Sequence, residues 1–140
     1  MSTKPLSGKS FFPLFLKYTA PAILWTAFIF VLCTVPGNSL PSHSWFELFH
    51  VDKQVHVVLY ALLVVFWFVG LQKQHKIKSL KHKNAGLVCL LSMVYGVMME
   101  YMQLLIGQGR SFEWLDVLAN GFGILTGVLL FRWVYAKWPR

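Results

Sequence analysis

The chain has 140 residues, 56% of them hydrophobic, and a mean hydropathy of +0.57, which excludes an ordinary soluble domain of this size. Charge is scarce, at 13%, and basic: thirteen Lys and Arg against five Asp and Glu give a net +8. No basic surface interleaved with aromatics accompanies that excess, so nucleic acid is excluded as a partner, and one domain is the natural count.

Residues 1–17 form a basic tail carrying Lys4, Lys9 and Lys17, with Phe11, Phe12 and Phe15 suited to an interface. Residues 18–35 are the first span, uncharged and closed by Pro36-Gly37, a helix stop. We read this span as a retained anchor and not a signal peptide, because no small residues mark a good cleavage position. Cys33 is not a lipoprotein cysteine on this reading, since Leu32 is too large for the residue before it. Residues 38–51 predict a short interfacial helix on the outer side, opened by the capping box Ser44 to Glu47.

Residues 52–71 are the second span, polar at its start and then wholly apolar. The stretch 72–84 holds five lysines and two histidines and reads as a cytoplasmic loop between two spans. Residues 85–106 are the third span, 107–114 a tight turn with Gly107 and Gly109, and 115–135 the fourth span. Residues 136–140 form a second cytoplasmic tail, with Trp133, Tyr135 and Trp138 beside Arg132, Lys137 and Arg140 as a belt. Each run suffices to cross a hydrocarbon core of ~30 Å. The expected fold is therefore all-α: a polytopic membrane protein with four transmembrane helices over residues 18–135.

Eleven of the thirteen basic residues fall in the N-terminal tail, the middle loop and the C-terminal end from Arg132 onward, leaving only Lys53 and Arg110 on the other side. The positive-inside rule then makes both termini cytoplasmic and puts all five acids in the outer half. Cys33 and Cys89 fall at opposite faces, ~20 Å apart by helical rise, too far for a disulfide.

This topology concentrates the polar chemistry. Asp52, Lys53, His56 and Tyr60 open the second span, Glu100 and Gln103 lie in the outer half of the third, Arg110 and Ser111 lie in the turn, and Asp116 and Asn120 begin the fourth. Gly96, Glu100, Gln103 and Gly107 are spaced 4, 3, 4, and so are Asp116, Asn120, Gly123 and Gly127. Each set makes one narrow helical stripe, with glycines suited to close helix approach. An ionisable group in a span is costly in lipid and should face the bundle or water. We expect a polar pocket open to the outside, lined by spans two, three and four. Taken singly, the pieces have plainer readings: Asp52 and Ser111 as caps, Arg110 and Glu113 as exposed charges, Gln103 and Asn120 as interhelical glue. Coincident depth on three helices favours a site.

His56, Asp52, Glu100 and Asp116 offer nitrogen and oxygen ligands, but a single histidine without a ligand pair of diagnostic spacing gives no expectation of a metal. The sequence names no cofactor. It contains no phosphate loop, nucleophile elbow or H-E-x-x-H motif.

Four pieces, in order, resemble the VanZ-like family of small bacterial membrane proteins. They are Val35-Pro36-Gly37, Asp52-Lys53-x-x-His56-x-x-x-Tyr60, Glu100-x-x-Gln103, and Arg110-Ser111-x-x-x-x-Asp116-x-x-x-Asn120-x-x-Gly123. The resemblance covers residues 20–135; Thr34 stands where a serine is commoner, keeping the hydroxyl. It implies an integral protein of the cell envelope and a link to low-level resistance to teicoplanin, a lipid-tailed glycopeptide. It supplies no established reaction and assigns these polar residues no catalytic roles.

Three functions compete. In the first, the pocket takes an envelope or lipid-linked ligand or a lipoglycopeptide: Lys53, Arg110 and His56 hold an anionic head group, and Glu100 or Asp116 serves as an acid or base. The second is a small transporter, disfavoured because the inner halves of spans two to four offer little beyond Ser92 and Thr126. The third is a non-enzymatic scaffold or antibiotic-binding module. Beyond membrane lipids, a second copy of the chain is a plausible partner, because four short spans enclose a small interior.

Overall fold

The computed structural model describes residues 11–35, 51–74, 82–106 and 111–137. Among them are four helices and no strand: α1 (Phe11–Thr34), α2 (Val51–Gln74), α3 (His82–Ile106) and α4 (Trp114–Lys137). All four are long and apolar enough to cross a membrane. The helix expected within 38–51 lies outside the described residues, apart from Val51, which begins α2. The glycine turn at 107–109 lies outside them as well.

The helices outrun the expected spans. α1 starts at Phe11, within what reads as tail, because Pro13 falls in its first turn, where backbone N–H groups have no partner in any case. α3 starts at His82 and α4 runs to Lys137, since lysine and alanine are good helix formers and extend a helix past its apolar core.

α2 and α4 share the most extensive interface. They run parallel: Lys53 meets Asp116, Val57 meets Gly123, and Ala61 meets Gly127. The glycines permit this. A β-carbon at Gly123 would lie 2.5 Å from the Val57 carbonyl oxygen, and one at Gly127 would lie 2.5 Å from that of Ala61. Gly70 does the same for α1, where a β-carbon would meet the Tyr18 carbonyl at 2.8 Å. α1 is antiparallel to α2, and its buried face is Thr19, Ala22, Ile29 and Cys33, at helical spacing. α3 packs through Val88, Ser92, Gly96, Met99, Glu100 and Gln103, one stripe along the helix. Outside these faces the helices present bare aliphatics, such as Leu24, Leu105 and Leu118, the surface that lipid solvates.

Lipid tails are as apolar as leucine, so packing and interhelical hydrogen bonds hold such a bundle together. Two of those bonds tie α1 in: Trp25 Nε1 donates to the Leu59 carbonyl at 2.9 Å, and the Tyr95 hydroxyl donates to the Thr26 carbonyl at 2.7 Å. The Trp25 ring also meets Phe28 and Phe66, contacts a phenylalanine would largely keep. Trp25→Phe should therefore cost only the hydrogen bond, about 0.6 kcal/mol, read as a small drop in thermal midpoint in detergent. Thr26 and Thr126 turn their hydroxyls back to carbonyls of their own helices, Ala22 and Phe122, and so add no polar path through the bundle. A cavity of about 430 Å³ between α1, α2 and α3 is mainly apolar, lined by Leu63, Trp67, Leu87 and Leu91 among others.

Candidate functional site

The parallel pairing of α2 with α4 brings two helix N-termini to one end of the bundle, the end where α1 and α3 finish. Their dipoles make that end electropositive and favour acids in the first turns. Asp52 occupies that place in α2 and Asp116 in α4.

The site has two layers. In the outermost layer Lys53 Nζ lies 2.8 Å from Asp52 Oδ2, 2.8 Å from Glu113 Oε2 and 3.0 Å from Asp116 Oδ1. One ammonium therefore serves three carboxylates and staples α2 to the start of α4. Asp116 is the buried member, and the other two are exposed. The next layer is one helical turn deeper. His56 Nδ1 lies 2.9 Å from Asn120 Oδ1 and 3.6 Å from Glu100 Oε1, and Nε2 lies 4.0 Å from Asp116 Oδ2. An amide oxygen only accepts, so Nδ1–H donates to Asn120. Asp116 links the layers, one oxygen toward Lys53 and the other toward His56.

Glu100 and Asn120 are fully buried. Glu100 lies ~9 Å along α3 from its end at Ile106. A buried charge costs several kcal/mol unless paired, and the His56 imidazole lies 3.6 Å from this acid. Gly96 makes the room: a β-carbon there would stand 3.1 Å from Asn120 Nδ2 and 3.2 Å from the Tyr60 ring. Tyr60 is buried beneath His56 against Tyr95, and its hydroxyl has no hydrogen-bond partner among the described residues.

The structure thus brings together Asp52, Lys53, His56, Glu100, Asp116 and Asn120, with Tyr60 at the floor. Gln103 is buried on the Glu100 stripe, one turn toward the end of α3. Ser111 stands exposed in the approach to α4; the helix begins at Trp114, so Glu113 and not Ser111 holds the cap position. Arg110 lies outside the described residues. Glu113 is the residue that sequence reasoning left as an ordinary loop charge. Its signal was the three-residue spacing to Asp116, which puts both acids on one side of the helix start.

Two sets of three side chains could each hold a cation, their ligand atoms within 4.8 Å of one another: Asp52, Glu113 and Asp116, and His56, Glu100 and Asp116. Lys53 already serves the first. Among the described residues of the site, four carboxyl groups face one lysine and one histidine, so they are rich in acceptors.

Nothing among curated proteins or solved structures matches the chain significantly. The VanZ/LLP1 family model matches residues 11–135, which takes in all four apolar helices and every described member of the site. The chain belongs to the VanZ/LLP1 family.

Proposed function

We propose that the site is a pocket facing outward from the bacterial cytoplasmic membrane, with both termini cytoplasmic. It takes an envelope or lipid-linked ligand and underlies tolerance to teicoplanin-type glycopeptides. The observation that carries this reading is Glu100: a fully buried acid on a lipid-spanning helix, set against His56 at the same depth. Packing alone would be better served there by an apolar residue of similar volume, so the acid argues for a use. The distribution of lysine and arginine supports the orientation.

The geometry changes the expected chemistry of recognition. Lys53 is engaged by three carboxylates and is poorly placed to hold an anionic head group by itself. The acceptor-rich rim favours a ligand presenting amine or hydroxyl donors, or one reached through a shared cation. A scaffold reading has one observation in its favour: the Lys53 cluster fastens α2 to α4 whatever else it does.

The test is antibiotic susceptibility of a host expressing wild type or Glu100→Gln at matched membrane levels, with teicoplanin beside vancomycin. Wild type should raise tolerance to teicoplanin, and Glu100→Gln should return it to the level of the empty host while remaining folded. No shift with wild type removes the resistance role; tolerance retained by the variant favours the scaffold.

A further inference from the structure

We propose that His56, Glu100 and Asp116 bind a single divalent transition-metal ion at the polar end of the bundle. The proposal shares its place with the pocket above but does not depend on which ligand that pocket takes.

Each of the three residues offers one ligand atom, all within 4.8 Å of one another, and Glu100 and Asp116 are buried. The orientation of His56 adds an independent argument. Asn120 accepts from Nδ1, and Nε2 faces a carboxylate oxygen of Asp116 at 4.0 Å. That gap leaves room for an ion held by both at about 2.0–2.2 Å in place of a proton on Nε2. A histidine ligand whose second ring nitrogen is fixed by a hydrogen bond is the usual arrangement at metal centres.

The neighbouring set shows what such a cluster requires. Asp52, Glu113 and Asp116 surround the Lys53 ammonium, a covalently attached cation. The deeper set gathers donors of the same kind around His56. Asn120 supplies the second pointer to a ligand. It is fully buried, its oxygen holds His56, and its Nδ2 has no acceptor among the described residues. A water or ligand oxygen accompanying the ion would satisfy that donor. One nitrogen with two carboxylates suits borderline ions such as Zn2+ and Mn2+ over soft, thiolate-seeking ones.

The experiment uses the full chain in detergent, exposed to Zn2+ or Mn2+, passed through a desalting column and analysed for metal per chain. Thermal unfolding with and without each ion runs beside it. Wild type should retain one ion per chain and unfold at a higher temperature in its presence. His56→Gln should lose both effects, as should Glu100→Gln, with helical content and elution volume confirming that at least one of them is folded. Glu113→Gln, a member of the Lys53 set only, should keep the ion. A wild type that retains neither ion and shows no thermal shift overturns the proposal, and so does a folded His56→Gln that binds like wild type. A metal-free wild type that still confers tolerance overturns the metal and leaves the ligand reading standing. A metal-loaded chain without tolerance does the reverse.

Discussion

Gly127→Ala will force the two central helices apart and lower the thermal midpoint in detergent, while Gly86→Ala will leave it unchanged or raise it. Both substitutions gain helix propensity, about 0.5–1 kcal/mol. The surroundings decide the sign. A β-carbon at Gly86 has nothing within 4 Å. At Gly127 it would lie 2.5 Å from the Ala61 carbonyl oxygen, 3.1 Å from the Ala61 Cα and 3.1 Å from the Val64 Cβ. Two of these are backbone atoms on a packed helix, which cannot swing aside as a side-chain tip would. Overpacking of this kind costs about 1–3 kcal/mol, so the net change at Gly127 is a loss. Gly123→Ala should behave alike, with Val57 carbonyl oxygen at 2.5 Å and its Cα at 3.0 Å. Gly121→Ala, where the nearest atoms are the flexible end of Met93 at 3.8 Å, should be tolerated. Thermal midpoints falling in the order Gly86, Gly121, Gly127 would support the parallel α2–α4 contact; equal midpoints would refute it.

That contact marks the boundary of what the sequence makes legible. Span number and span positions follow from hydropathy, because twenty apolar residues in a row have one cheap environment. The stripes through Glu100 and through Asp116 are legible too, because helical period fixes which residues share a face. The glycines announce close approach without naming a partner: Gly123 and Gly127 face α2, whereas Gly96 faces Asn120 and Tyr60. Which helices are neighbours depends on tertiary packing, which no period encodes. The same limit governs the site. Residues at one depth could be gathered from three helices, but the choice of partner for Lys53 could not. Glu113 looked like a loop charge because it precedes its helix, yet it reaches Lys53 across sixty positions of sequence. The metal expectation failed to form for a related reason: one histidine and scattered acids have no spacing signature, and only the fold puts their ligand atoms within 4.8 Å.

Lys53→Met should destabilise the chain more than any exposed charge change, and Asp116→Asn should rescue it. Three carboxylates lie within 3.0 Å of the lost ammonium, so its removal leaves like charges facing each other. Their contributions are unequal. The Asp52 and Glu113 side chains are 53% and 46% exposed, and water screens them; exposed pairs are worth about 0–1 kcal/mol. The Asp116 side chain is 10% exposed, and breaking a buried pair costs about 3–5 kcal/mol. Lys53 is itself partly open to water, so about 2 kcal/mol is the expected loss, carried mainly by Asp116. A double-mutant cycle isolates the term. Lys53→Met with Asp116→Asn should recover most of the lost stability, whereas Lys53→Met with Glu113→Gln should recover little. Added salt should narrow the gap between wild type and Lys53→Met, because the exposed part of the repulsion is screened within about 10 Å at 0.1 M. Equal rescue by both partners would mean that Asp116 is no more buried in solution than Glu113. The rescued double variant also separates the two readings of the site. It recovers stability without the Lys53–Asp116 pair while removing two charges from the pocket. If the cluster is a scaffold, tolerance to teicoplanin returns with stability. If it is a pocket, the chain is stable again and tolerance stays lost.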